Sequence, residues 1–270
     1  MINGALHIGH VMAATDESDA GRQAMRLALD VASRARARAT VMRVLPFDGT
    51  VRRGAVEQLQ RWVEADRPSP EPSPPIEYAV SYGVPGVEIP RAGERVRADL
   101  LVLGRKERTQ AMRLLFGDTA DAVARRSGIP CLFVPTSGIR LRRMLITIDG
   151  TRRGRTVLRA ASAFARQVGT ELHVLTVEPV HAGEPADLAV ATPMTRTDHL
   201  LADLDDSLAL DLEVRRGHAA EQILEAVEAS TPDLLVIGCH RGGPAGVIEA
   251  GSTARQVIHH APCAVLTVPL

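Results

Sequence analysis

Residues Asp99-Leu-Leu-Val-Leu-Gly104 return as Asp233-Leu-Leu-Val-Ile-Gly238, 134 positions later. Other landmarks keep nearly the same distance. Asp16 pairs with Asp149 and Val44 with Val177 at 133, Gly83 with Gly217 and Gly117 with Gly251 at 134, and Pro130-Cys131 with Pro262-Cys263 at 132. An offset that drifts by only two residues over the whole length means that the halves share an order of elements, beyond one common motif. At 270 residues, each copy is long enough to bury a core of its own. The seam falls between Val134-Pro135 and Met144, where Thr136-Ser137-Gly138 supply turn residues, and divides the chain into domains 1–138 and 139–270.

Each copy alternates short apolar runs with helical periodicity. In the second half the expected strands are 144–148, 171–177, 212–215 ending at Gly217, 234–237 and 263–268. The expected helices are 152–168, 198–208, 220–229 and 252–260. The first half has matching strands at 11–14, 41–44, 76–80, 100–103 and 131–134. Pro68 to Pro75 reads as a loop, and Pro90 and Gly93 weaken the third helix of this half. The fold class is therefore α/β: two tandem, doubly wound domains, each with a mostly parallel sheet covered by helices on both faces.

In such a sheet ligands bind beyond the carboxyl ends of the strands, where the strand order reverses. Asp16 and Asp149 stand at the end of strand one, where a carboxylate can accept hydrogen bonds from an adenine amino group or a ribose hydroxyl. The plainer reading is that each caps the next helix. Strand four ends in a glycine and a second glycine precedes the following helix, Gly104 to Gly117 and Gly238 to Gly251, thirteen positions apart in both copies. Gly251-Ser252-Thr253 would bring free backbone N–H groups, hydroxyls and the positive end of a helix dipole to one spot, which is the form of a phosphate site.

These residues resemble the universal stress proteins. The resemblance covers nearly all of both halves and rests on Asp16 and Asp149, on the Asp-Leu-Leu-Val-[Leu/Ile]-Gly segments, and on the endings Gly-Ile-Pro-Cys-Leu-Phe-Val134 and His-Ala-Pro-Cys-Ala-Val-Leu-Thr-Val268. It implies a five-stranded parallel sheet in order 3-2-1-4-5 in each copy, with the last strands of the two copies paired into an intramolecular pseudo-dimer. ATP-binding members of that family carry Gly-x2-Gly-x9-Gly-[Ser/Thr]. Here Glu107 and Arg241 replace the middle glycine, and Asp118 replaces the Ser/Thr of the first copy. Each carboxylate facing a phosphate would oppose binding by on the order of 1 to 3 kcal/mol, with Arg105, Lys106 and Arg108 as local compensation.

The second copy is accordingly the expected nucleotide site, with Asp149 and Val177 toward the base, Gly217 at the end of strand three, and Gly238, Arg241, Gly251, Ser252 and Thr253 toward the phosphates. The matching set in the first copy is Asp16, Val44, Gly104, Gly117 and Thr119. ATP is the expected cofactor, and Mg2+ is compatible with its phosphates. The alternative is a nucleotide-free interaction or structural protein whose two sites have decayed. Slow ATP hydrolysis is the third reading, although no base, metal cluster or nucleophile stands out.

Other motifs are set aside. His7-Ile8-Gly9-His10 spells a nucleotidyltransferase signature, but it precedes strand one instead of following it. Cys131, Cys239 and Cys263 are read as ordinary reduced thiols, and Cys239-His240 and His259-His260 lack further ligands at metal spacing. Basic and acidic side chains both count 32, so no excess charge draws the chain to nucleic acid or anionic lipid. No apolar run is long enough for a membrane helix, and the opening MINGALHIGH lacks a signal pattern, which leads to a cytoplasmic expectation. The expected partners are an adenine nucleotide and an unidentified protein, and the architecture also allows a homodimer.

Overall fold

The computed structural model describes residues 5–49, 52–68, 73–105, 118–149, 151–178, 211–239 and 252–270. Strands β1 (His10–Thr15), β2 (Arg38–Leu45), β3 (Ile76–Tyr82), β4 (Leu100–Arg105) and β5 (Cys131–Pro135) belong to the first half. Strands β6 (Arg143–Ile148), β7 (Glu171–Glu178), β8 (Asp211–Arg216), β9 (Leu234–Cys239) and β10 (Ala264–Pro269) belong to the second. Between them run helices α1 (Asp19–Arg34), α2 (Ala55–Asp66), α3 (Pro85–Val96), α4 (Asp118–Arg126), α5 (Arg152–Val168), α6 (Ala219–Ser230) and α7 (Ser252–His260). The helix expected over 198–208 lies outside the described residues.

All ten strands form one sheet, in the order β3-β2-β1-β4-β5-β10-β9-β6-β7-β8. Each half is a parallel sheet of order 3-2-1-4-5. The halves join antiparallel through β5 and β10, with Phe133 opposite Val265 and Leu132 opposite Leu266. The apolar edge that each copy would otherwise expose is thus buried against the other copy.

Alternation along the strands builds two cores. Val11, Ala13, Val102, Ile146 and Val236 point to the face covered by α1, α2 and α5, whereas Met12, Leu101, Leu145 and Leu235 point to the face covered by α3, α4, α6 and α7. Both layers run without a break across the junction, where Leu132, Phe133, Val265 and Leu266 have no exposed surface. Fully burying each such side chain stabilises the fold by about 1.5 to 3 kcal/mol.

Polar contacts fix the register of the halves. Arg34, in the last turn of α1, donates to Leu141 O and to Val168 O at the end of α5, both at 3.1 Å. Gln167, at the corresponding place in α5, accepts from Ile8 N at 2.9 Å and donates to Leu6 O at 2.9 Å. Each helix end therefore holds the lead-in segment of the other half.

Three local features explain sequence signals. Asp99 Oδ2 accepts from Gly9 N and His10 N at 2.9 and 3.0 Å, and Asp233 Oδ2 accepts from Arg142 N and Arg143 N at 3.0 and 2.9 Å. The repeated aspartate thus ties the start of strand four to the start of strand one. His10 opens β1, buried between Val96 O (3.0 Å from Nδ1) and Thr40 Oγ1 (2.8 Å from Nε2), so the His-Ile-Gly-His segment is part of the core framework. Helix α3 forms despite Pro90 and Gly93 because both are buried where it meets the sheet. A Cβ on Gly93 would lie 2.8 Å from Leu101 Cδ2, so glycine is what lets the helix approach. Among the described residues, no helix is long and apolar enough to cross a membrane.

Candidate functional site

The strand order of the second half reverses between β6 and β9, and a cavity of about 240 Å³ opens there. Its wall includes Ile148 at the end of β6, Asp149 after it, Val177 on β7, Gly238 on β9, Thr253 on α7, and Leu270. Four of the residues singled out from the sequence, Asp149, Val177, Gly238 and Thr253, are thus brought together by elements far apart in the chain. The wall is mainly apolar, with hydroxyls at Thr147 and Thr253 and a carboxylate at Asp149. The Thr147 hydroxyl is spent within the sheet, donating to Val236 O at 3.1 Å.

Asp149 has two tasks. Its Oδ1 accepts from Thr151 N at 3.0 Å and Thr151 Oγ1 at 2.6 Å, and Thr151 in turn caps α5 by accepting from Arg153 N and Gly154 N. The capping role is therefore present, exerted through Thr151. Among the described residues no hydrogen bond reaches Oδ2, and the side chain is exposed at the cavity mouth. Gly154 leaves room for this arrangement, since a Cβ there would stand 2.8 Å from Asp149 Oδ1.

The remaining residues of the expected second site divide into two groups. Gly217 is not part of the cavity wall. It has φ +139, donates to Glu178 O at 3.0 Å, and turns the chain from β8 toward α6, as Gly83 does at φ +136 in the first half. Ala219, two residues on, does reach the cavity. Ser252 opens α7, whereas Arg241 and Gly251 lie outside the described residues.

The first half differs at the same point of the fold. A Cβ on Gly104 would fall 2.4 Å from Ala20 C, 2.5 Å from Ala20 O and 2.7 Å from Gly21 N, so the start of α1 lies directly on β4. On Gly238 the equivalent Cβ would meet only the side-chain ends of Leu270 and Val157, at 2.7 and 2.8 Å. At this glycine the first copy packs helix backbone against its strand, and the second copy packs side chains there.

Asp16 Oδ1 accepts from Ser18 N at 3.1 Å and from the Ser18 hydroxyl, and Ser18 caps α1. Arg43 on β2 pairs with Glu17 (2.5 Å) across the strand ends, beside Val44. Thr119 borders a separate cavity of about 420 Å³ between the start of α3 and α4, together with Pro85 and Arg125, and that wall excludes Asp16, Val44 and Gly104. Asp16, Val44 and Gly104 stand together at the carboxyl ends of the neighbouring strands β1, β2 and β4, whereas Thr119 borders the other cavity. Gly117, Glu107, Lys106 and Arg108 lie outside the described residues, as does the Asp118 side chain.

Arg105 requires a correction. The sequence suggests a cation beside first-half phosphates, but its guanidinium donates to Ile258 O, Ala261 O and Cys263 O of the second half, at 2.9, 2.6 and 3.0 Å. His259, read as a helix-end cation, also reaches across, with Nε2 3.1 Å from Asp121 Oδ1 on α4. His260 stays within its helix, with Nδ1 2.7 Å from Gln256 O. The three cysteines are free and buried. Desolvation pushes the thiols of Cys131 and Cys239 up to about 12 and that of Cys263 to about 11.

Comparison with known proteins agrees with this architecture. A model of the universal stress protein family matches residues 7–135 and again 140–269. A universal stress protein of Synechocystis sp. is 25% identical over 170 residues, covering 63% of this chain and 57% of that protein, so the match spans less than two thirds of the relative's length. Among solved structures, a universal stress protein from Archaeoglobus fulgidus superposes with a TM-score of 0.68 at 19% identity, covering 97% of this chain and 98% of the other. A structure described as a universal stress protein from Pseudomonas aeruginosa reaches 0.73 at 15% identity, covering 99% and 95%. The chain belongs to the universal stress protein family, with two copies of the family's domain in tandem.

Proposed function

We propose that this chain is a regulatory protein that holds an adenine nucleotide, ATP or a close relative, in its second half, without a committed catalytic reaction. The observation that carries this reading is the cavity at the β6–β9 reversal, where Asp149, Val177, Gly238 and Thr253 converge. Asp149 Oδ2 and Val177 are assigned to the base and ribose. Gly238 and Thr253 are assigned to the phosphates, with Arg241, Gly251 and Ser252 completing that end and Mg2+ as optional counter-ion. The domains are divided at 138/139, which falls between the two family matches. A bound ligand would stabilise one conformation for a protein partner in the cytoplasm to read, because a ligand shifts an equilibrium only through differential affinity.

The test is melting of the full chain with ATP. Free ligand at about a hundred times its dissociation constant stabilises by about 2.7 kcal/mol. Asp16→Ala and Asp149→Ala each loosen a helix cap, at a cost of about 1 kcal/mol, but only Asp149→Ala should lose the ATP response. A second reading, a nucleotide-free interaction protein, is favoured by Glu107, Asp118 and Arg241, which replace residues of the family's phosphate motif. No melting shift at millimolar ATP, and no nucleotide in acid extracts, would decide for it.

A further inference from the structure

Helix α7 is held at its two ends by different halves of the molecule. Thr253 and Ala254 in its first turn border the second-half cavity. Its last turn is fastened by the first half. Arg105, the final residue of β4, donates from Nη1 to Ile258 O and from Nη2 to Ala261 O and Cys263 O. Carbonyls at a helix end lack intrahelical donors and carry the negative end of the dipole, so a guanidinium fork there satisfies both needs. One residue past Ile258, His259 Nε2 lies 3.1 Å from Asp121 Oδ1 on α4, an ion pair when the imidazole is protonated, and in that form adds a second strap.

The clamp runs in one direction. The position aligned with Arg105 in the second half is Cys239, a buried thiol that supplies no such fork. At the end of α4 the chain is closed locally, with Ser127 Oγ donating to Ile129 O at 2.9 Å and accepting from Ile129 N at 3.0 Å. A nine-residue helix spans only about 13 Å at 1.5 Å per residue. Over that length it moves as one rod, so the hold on its last turn also sets where its first turn lies.

We propose that Arg105 is a positioning residue for the second-half nucleotide site. The first half acts as a brace that fixes α7 against the phosphate end of the ligand. This inference rests on the adenine-nucleotide reading above and adds a role for the first half. The base side, Asp149 and Val177, is carried by β6 and β7 and does not depend on the brace.

Calorimetric titration of the full chain with adenosine and with ATP tests it. Arg105→Met keeps the stem and removes the donors. ATP should bind about tenfold more weakly while adenosine changes by less than about twofold. Arg105→Lys, which keeps the charge and part of the bonding, should recover part of the ATP affinity. If Arg105→Met fails to fold, Asp121→Asn cuts the second strap and should shift the ATP-to-adenosine ratio in the same direction. A variant that weakens both ligands equally, or neither, overturns the brace and leaves the nucleotide reading intact. A wild-type chain that binds neither ligand overturns both.

Discussion

Gly104 and Gly238 occupy the same position in the two copies, yet adding one methyl group to each should have opposite consequences. Neither has a positive φ, so alanine is acceptable to both backbones, and each substitution gains about 0.4 to 1 kcal/mol by restricting the unfolded chain. The difference lies in what the methyl meets. At Gly104 it lies 2.4 to 2.7 Å from the backbone of Ala20 and Gly21, and backbone in the first turn of a buried helix cannot swing aside. That strain should cost about 3 kcal/mol or more, at or above the top of the usual overpacking range. Less the gain from the unfolded chain, about 2 kcal/mol or more remains, and at roughly 2 to 4 °C per kcal/mol for folding units of this size Gly104→Ala should melt about 4 to 10 °C lower. At Gly238 the methyl meets side chains that border a cavity of about 240 Å³: Leu270 can turn into it, whereas Val157, β-branched and within α5, must give by a small shift. Net destabilisation there should stay near or below about 1 kcal/mol, within about 4 °C in melting temperature. Under the proposed function Gly238→Ala should instead weaken ATP, because Gly238 lines the cavity. Thermal melting with and without ATP measures both effects. Equal melting shifts in the two variants would refute the asymmetry of the crevices.

Two further outcomes follow from the ionisable groups. Burial holds His10 below its ordinary value of 6.5, so the unfolded chain binds the extra proton first as pH falls. Its contribution to stability is complete above pH 6.5 and is lost as pH drops from there through the folded value. Urea denaturation between pH 8 and pH 5 should show this slope in the wild type and a weaker slope in His10→Gln. The thiols of Cys131, Cys239 and Cys263, raised to about 12, 12 and 11, should react with a disulfide reagent at pH 8 only once the chain is unfolded, and fast labelling of the native protein would contradict their burial.

The duplication and the alternation of strands with helices are legible because a constant offset and periodic apolar runs can be read along a sequence, whereas the strand order came only from the resemblance to the universal stress proteins. The pairing of β5 with β10 was also foreseeable, from the apolar edges that 132–134 and 264–268 would otherwise leave. What escaped depends on distance in space. Gly104 and Gly238 sit in nearly identical segments, and only the approach of Ala20 and Gly21 distinguishes them. Arg105 looked like a phosphate ligand because Lys106 and Arg108 are its neighbours, but its partners are more than 150 residues away. Asp99 and Asp233 were seen only as part of the repeat, although an aspartate kept just before a buried strand in both copies was a sign that its carboxylate has backbone N–H groups to hold. The caution over α3 was reasonable from propensity alone. The helix forms because Pro90 and Gly93 are buried where it packs on the sheet beside Leu101, a tertiary gain that outweighs their intrinsic cost.

The count of nucleotides bound per chain tests the asymmetry between the copies most directly. Equilibrium dialysis with labelled ATP should saturate at one molecule per chain, lost in Asp149→Ala and kept in Asp16→Ala. Two per chain, or loss confined to Asp16→Ala, would contradict it.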